Sequence, residues 1–184
     1  MIITVFDTET TGLKTSSLIP LEKRSKVIEL CMLTYDGSID KLDESYTIEK
    51  LFKVPEPLEP IITKITGLKD SDLINENTME GWIPQIREVI ERSDMVVAHN
   101  VAYDVAMMNN EFARFGTDPI AWPQKKCTVE ESEHIKGYRL KLSQLHEELF
   151  GESFEEAHRA RPDVEATARC FFKLMEDAGV CLTG

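Results

Sequence analysis

Apolar and polar positions along this chain follow two different periods, and the points where the period changes divide it into elements. Met1 to Phe6 is an apolar run broken only by Thr4, the pattern of a buried strand. Thr15 to Arg24 reads as a loop. Lys26 to Tyr35 is a second strand, closed by the turn Asp36-Gly37-Ser38, and Ser45 to Val54 is a third. Pro55-Glu56-Pro57 and Pro60 mark an extended connection. Ile61 to Ile65 predicts a short helix ending at Gly67, followed by a helical turn from Ser71. Beyond this point helical spacing dominates. Met79 to Glu91 puts Ile83, Ile86 and Ile90 on one face, with Pro84 tolerated in its first turn. Met95 to Ala98 is a fourth strand. Val101 to Phe115 then carries a stripe of Val105, Met108, Phe112 and Phe115, with Gly116 as its stop. A short strand or turn at Lys126-Cys127-Thr128 and a helix from Val129 follow. Lys141 to Phe150 turns Leu142, Leu145 and Leu149 inward. The last helix opens at Pro162, carries Val164, Ala168, Phe171 and Met175, and runs to Asp177, with Gly179 beyond it. A meander followed by strand–helix units predicts an α/β domain. Its mixed sheet combines an antiparallel three-strand meander with parallel strands, and helices cover both faces. Without an internal repeat, low-complexity tract or linker, residues 1–184 read as one domain.

Composition narrows the class. A chain of 184 residues with 42% hydrophobic and 29% charged residues suits a globular protein. Cys31, Cys127, Cys170 and Cys181 show no C-x-x-C pairing, which argues against a zinc ribbon or a disulfide framework and for a reducing compartment. The absence of a basic leader and of any apolar run near ~20 residues predicts a cytoplasmic protein without a membrane span.

The net charge of -12 argues against a grip on long duplex nucleic acid, which calls for a basic face. It does not exclude an enzyme that holds a few terminal nucleotides. Basic residues cluster at Lys23-Arg24-Lys26, Lys125-Lys126, Lys136-Arg139-Lys141 and Arg159-Arg161. Most read as solvated faces. Arg159 and Arg161 are the strongest phosphate-binding candidates.

The chemistry lies where elements end. Asp7 and Glu9 are two residues apart at the end of the first strand, so both project from one face. Paired carboxylates repel and lose hydration unless a cation or a donor compensates them, and hard divalent cations take such oxygen ligands. A strand fraying into a solvated acidic turn is the ordinary alternative. Asp104 falls in the first turn of the helix after Met95-Val96-Val97-Ala98-His99-Asn100, and Asp163 in the first turn of the last helix. Helix-dipole stabilisation would explain either one alone. His158 precedes the last helix in a loop. Three acidic positions at element ends, each beside a core-facing segment, together with that histidine, point to a site.

Three segments then resemble the motifs of the DEDDh, or DnaQ-like, 3′–5′ exonucleases, whose reference type is the proofreading epsilon subunit of bacterial DNA polymerase III. They are Phe6-Asp7-Thr8-Glu9-Thr10-Thr11-Gly12-Leu13, Ala98-His99-Asn100-Val101-Ala102-Tyr103-Asp104, and His158-Arg159-Ala160 through Asp163 with Ala166-Thr167. The motifs stand in family order across nearly the whole chain. The resemblance implies a ribonuclease H-like fold and two divalent cations, Mg²⁺ or Mn²⁺, held by Asp7, Glu9, Asp104 and Asp163. It implies that Asp7 bridges the ions, that Glu9 and Asp163 serve the one carrying the attacking water, that Asp104 serves the other, and that His158 takes the water's proton. An imidazole suits that role near neutral pH.

Substrate contacts implied in the same way fall on Thr8, Thr10 and Leu13, with Leu13 against a base or in the core. Asn100 shapes its turn and approaches substrate. Tyr103 either stacks on a sugar or base or packs in the core. Thr66, in Ile65-Thr66-Gly67-Leu68, stands where the family loop carries a histidine. His99, His134 and His146 read as structural or surface residues. The expected substrate is a single-stranded or frayed DNA 3′ end, released as mononucleotides, with proofreading as the family's theme. RNA or short oligoribonucleotides, and a non-catalytic module that holds a nucleic-acid end, are the alternatives. Gly184 follows closely on the last helix, so a stand-alone enzyme or a polymerase partner in trans is expected.

Overall fold

In the computed structural model, which describes residues 1–152 and 158–182, five strands form one sheet. They are β1 (Ile2–Thr10), β2 (Val27–Asp36), β3 (Ile48–Leu51), β4 (Met95–Ala98) and β5 (Gln124–Cys127). Their order is β3-β2-β1-β4-β5. β2 runs antiparallel to both β1 and β3, while β4 is parallel to β1 and to β5. This is the expected mixed sheet. β1 is central because its residues are apolar on both faces, as a strand covered on both sides requires.

Eight helices surround it among the described residues: α1 (Pro60–Thr66), α2 (Asp70–Leu73), α3 (Ile83–Arg92), α4 (Val101–Arg114), α5 (Thr128–Glu131), α6 (Glu133–Lys136), α7 (Leu142–Phe150) and α8 (Ala160–Asp177). The alternation of the strands gives two main cores, and Ile28 of β2 forms a third, smaller one with Ile62 of α1 and Leu73 of α2. Phe6, Leu30, Met32, Val96 and Ala98 face α3 and α4. Ile3, Val5, Cys31, Leu33 and Val97 face α7 and α8. Helices therefore cover both faces. No helix among the described residues is long and apolar enough to cross a membrane.

Several boundaries differ from the sequence reading. β1 does not stop at Phe6 but continues through Asp7 and Glu9 to Thr10. Polar residues can extend a strand when the neighbouring strand supplies the hydrogen bonds, and Asp7, Thr8 and Glu9 pair with Cys31, Leu30 and Glu29. β3 is shorter than Ser45 to Val54, because Glu44–Tyr46 closes into a 3-10 turn on the Asp43 side chain, which accepts from Ser45 N at 3.0 Å. Met79–Trp82 is likewise a 3-10 turn ahead of α3, with Pro84 in the first turn of that helix. The single helix expected from Val129 is two short ones, α5 and α6.

The stripe of α4 is wider than its apolar residues suggested. Asn110 and Glu111 are buried as well. Glu111 accepts a hydrogen bond from Val27 N at 3.0 Å and pairs with Arg114, whose guanidinium also reaches the carbonyls of Leu21, Arg24 and Ser25. Asn110 accepts from Arg24 and donates to Thr15 O. The loop predicted at Thr15 to Arg24, which includes a 3-10 turn at Leu21–Lys23, is thus tied to α4.

Candidate metal and nucleic-acid site

The site forms where β1 leaves the core. Odd-numbered β1 residues face α8, so Asp7 and Glu9 continue the row of Ile3 and Val5. The register shifts between Glu9 and Thr10, and such a bulge bends a strand and re-aims the residues beyond it. Thr10 and Gly12 then make a tight loop. The Thr10 hydroxyl donates to Gly12 O at 2.8 Å, and the Tyr103 hydroxyl donates to the same carbonyl at 2.9 Å. Gly12 has φ 147°, and a Cβ there would meet Ser25 Oγ at 3.2 Å, so a side chain would both strain the backbone and crowd the loop.

Asp163, in the first turn of α8, completes a cluster. One carboxylate oxygen from each of Asp7, Glu9 and Asp163 lies within 4.8 Å of the others. Asp104 approaches from α4 on the other side of β1. It is buried, and its Oδ1 accepts from Thr8 N at 3.1 Å and from Thr8 Oγ1 at 2.7 Å. The turn that delivers it has Asn100 in the left-handed region at φ 79°. His158 is also left-handed, at φ 39°, so the chain swings sharply just before α8. Asp7, Asp163, His158, His99 and Asn100 line one cleft of ≈ 520 Å³, together with Val129, Arg139, Leu140, Lys141 and Leu142.

The electrostatics are those of charge packed without enough compensation. Lost hydration and the neighbouring Asp104, Glu9, Asp163 and Glu29 hold the Asp7 carboxyl well above the ordinary range. Burial and then Asp163, Glu29 and Asp104 push Glu9 up to about 8, against a partial offset from Arg159. Burial raises Asp104 to about 7, although the Thr8 hydrogen bonds pull the other way. Carboxyls that resist ionisation this strongly fit a bound cation, which would remove the repulsion.

A pH dependence of stability results from those shifts. Glu9 and Asp104 titrate higher in the folded chain than the ~4 expected when unfolded, so the folded state holds more protons between those values. Their effect on stability is absent below the unfolded pKa and grows more unfavourable as pH rises through the folded one. In chelator, the melting temperature of Glu9→Gln should match the parent near about pH 5 and exceed it near about pH 9. Added Mg²⁺ should close the gap by stabilising only the parent. An identical difference at both pH values would mean that Glu9 is not strained.

Glu29 belongs to the site although the sequence pattern did not single it out. It lies directly across from Glu9 in the β1–β2 register and is 2% exposed. Both oxygens are gripped by Arg159, at 2.9 to 3.1 Å, and Oε2 also accepts from Ala160 N at 3.2 Å. A buried carboxylate in an otherwise apolar run such as Val27-Ile28-Glu29-Leu30-Cys31 needs a partner, and that was the available signal.

The pairing changes the reading of Arg159. Its guanidinium docks the start of α8 onto the sheet through Glu29. Arg161 is held between Glu49 and Glu165, each at 2.8 Å. Removing one partner of a buried pair costs ~3–5 kcal/mol, and with the Arg159 side chain 42% exposed the lower part of that range applies. Arg159→Ala should therefore destabilise the fold by about 3 kcal/mol without altering the salt dependence of nucleic-acid binding. Chemical denaturation and a salt series check the two halves.

The remaining expected residues fall into place around this cluster. Thr66 is 2% exposed, and its hydroxyl donates to Ile62 O and accepts from Leu68 N, which turns it inward at the end of α1. Tyr103 packs its ring against the α3–α4 core and uses its hydroxyl on the Thr10–Gly12 loop, so its geometry is that of a clamp rather than a free stacking platform. Leu13 is 83% exposed and so is not core. Thr8 and Thr10 are buried beside the acids. His99 lines the cleft with Nδ1 2.9 Å from Thr128 Oγ1. His146 is buried against Phe150 and Arg169, and His134 is exposed.

A family model described as Exonuclease matches residues 4–171. Similar sequences include the DNA polymerase III subunit epsilon of Aquifex aeolicus, 27% identical over 94% of this chain and 80% of that protein. The PolC-type DNA polymerase III of Pediococcus pentosaceus is 30% identical over 95% of this chain. The chain spans 11% of the length of that PolC-type relative. Among solved structures, Exonuclease X in complex with 5′ overhanging duplex DNA is similar at TM-score 0.67 and 19% identity, with 99% of each chain covered. Exonuclease I of E. coli in complex with a dA16 oligonucleotide is similar at TM-score 0.74 and 17% identity, over 95% of this chain and 41% of that one. These likenesses support the ribonuclease H-like fold.

Proposed function

Because the chain belongs to the exonuclease family, we propose that it is a metal-dependent 3′–5′ exonuclease acting on single-stranded or frayed DNA 3′ ends and releasing mononucleotides. The observation that carries this reading is the convergence of Asp7, Glu9 and Asp163 within 4.8 Å, with Asp104 buried on the other side of β1 and His158 on the same cleft. The strained carboxyls fit a cation site. Asp7, Glu9, Asp104 and Asp163 would hold two ions, Mg²⁺ or Mn²⁺. When bound, such ions neutralise charge on the transferring phosphoryl group and acidify a water.

The chain's own residues do the rest. Glu29 and Arg159 fix the start of α8, and with it the backbone from His158 to Asp163. His158 accepts the proton of the attacking water. Thr8 holds one Asp104 oxygen with its N–H and its hydroxyl. Tyr103 and Thr10 set the loop that presents exposed Leu13 to the terminal nucleotide.

The chain acts as a single exonuclease domain and works in the cytoplasm. Its likeness to polymerase III proteins favours a polymerase partner in trans. The deciding experiment uses 5′-labelled DNA and RNA strands with Mg²⁺, Mn²⁺ or chelator. A ladder shortened one nucleotide at a time from the 3′ end of DNA, lost in chelator and stopped by a blocked 3′ end, is the expected result. Preferential shortening of the RNA strand would move the substrate to oligoribonucleotides. Binding without cleavage would make the chain an end-holding module.

A further inference from the structure

The structure pairs with carboxylates the two arginines that the sequence offered for phosphate, and puts two other cations on the rim of the cleft. Arg159 is gripped by Glu29, and Arg161 by Glu49 and Glu165. The cleft that contains Asp7, His158 and Asp163 is lined instead by Arg139 and Lys141.

Their placement is built by the local pattern. From Arg139 to Leu142 exposure alternates: Arg139 and Lys141 are exposed, while Leu140 and Leu142 are buried in the α7–α8 core. Two leucines anchored on one side of an extended segment send the intervening cations out on the other. Lys141 is fixed further as the residue ahead of α7, where its N–H donates to Gln144 Oε1 at 3.0 Å. Neither cation takes part in an ion pair among the described residues, whereas nearby Lys136 is paired with Glu148 at 2.8 Å. On a chain of net charge -12, two such cations beside four carboxylates are a local reversal of sign.

We propose that Arg139 and Lys141 bind the backbone phosphates of the strand on the 5′ side of the scissile bond. The proposal rests on the exonuclease reading. An enzyme that removes one nucleotide from a 3′ end leaves every other phosphate upstream. The carboxylate cluster offers those phosphates only repulsion, so they need cations at the rim. Arg can take a phosphate bidentately, and Lys adds a point charge.

Each protein–phosphate contact to a single strand contributes about -0.7 to the slope of log affinity against log salt. Binding of a 5′-labelled oligothymidylate with Ca²⁺ in place of Mg²⁺ should therefore show a shallow slope in the parent. Arg139→Ala and Lys141→Ala should each flatten it by about 0.7, and the double variant should raise KM for the strand roughly tenfold with a much smaller fall in kcat. Lys41→Ala, at the opposite end of the sheet, serves as the charge-matched control and should leave the slope as it is. The p-nitrophenyl ester of thymidine 5′-monophosphate has no upstream phosphate and separates the two levels of the argument. Failure of the parent to hydrolyse both this ester and the oligonucleotide would defeat the nuclease reading itself. An active parent with a salt slope unchanged in the double variant, or with equal losses on ester and oligonucleotide, would overturn the phosphate assignment.

Discussion

Asp7→Ala is expected to lower nuclease turnover by roughly 10³-fold or more, on the order of 4 kcal/mol at the transition state, while raising the melting temperature in chelator. The two effects have one origin. Asp7 sits where burial and four other carboxylates raise its pKa, so in the absence of cations its charge is a burden on the fold. With cations bound, the same side chain would be one of the carboxylates that hold them. Glu9→Ala should behave in the same way, and Asp163→Ala should show the same loss of turnover. Asp104→Ala differs, because it also leaves the Thr8 hydroxyl and N–H without their acceptor, at a cost of about 1–3 kcal/mol. Asp104→Asn keeps an acceptor oxygen and should lose turnover with less loss of stability. Turnover on a labelled strand with Mn²⁺, beside calorimetry in chelator, measures both. Near-parental turnover in Asp7→Ala would remove the metal-site assignment.

His158→Ala is expected to reduce turnover by roughly 10² to 10⁴ while leaving Mn²⁺ affinity nearly intact. The imidazole lines the cleft with Asp7 and Asp163 but is absent from the cluster of converging carboxylate oxygens. Its loss should therefore fall on proton transfer rather than on metal binding. The acid limb of the pH–rate profile should vanish or move, since no side chain would then need to be unprotonated to take the proton of the water. Calorimetric titration with Mn²⁺ and a pH–rate series distinguish the two roles. A variant whose profile matches the parent's would show that the water is activated without His158.

Much of this architecture is legible in the sequence because its signals are local. The apolar runs of β1, β2 and β4 and the stripes of α3, α7 and α8 come directly from period. The acids Asp7, Glu9, Asp104 and Asp163 are visible because each lies near one end of an element. The hidden features depend on pairings between distant segments. Glu29 looks like one polar residue in a strand, and only the β1–β2 register puts it opposite Glu9 and only the fold brings Arg159 to it. The same pairing gives Arg159 a structural partner that its place beside a site histidine does not reveal in the sequence. Asn110 and Glu111 are lost in the polar half of α4, because nothing near them in sequence reveals that they hold Val27 and Arg24. Thr66 stands out in the sequence by position alone, and the bonds of its hydroxyl at the end of α1 are seen only in the fold.

The placement of β1 and α8 has a consequence for the timing of synthesis. Asp7 and Glu9 leave the ribosome well before Asp163 and the backbone that answers Glu29, as the 131-residue separation of Glu29 and Ala160 records. Contacts of such long range close late. Until α8 docks, Asp163 is not beside Asp7 and Glu9, and the carboxylate cluster is incomplete. The interval carries a hazard of its own. The sheet face formed by Ile3, Val5, Cys31, Leu33 and Val97 stays uncovered for as long as α8 is missing. A chain interrupted before α8 is thus prone to aggregate, the state that chaperones and proteases recognise.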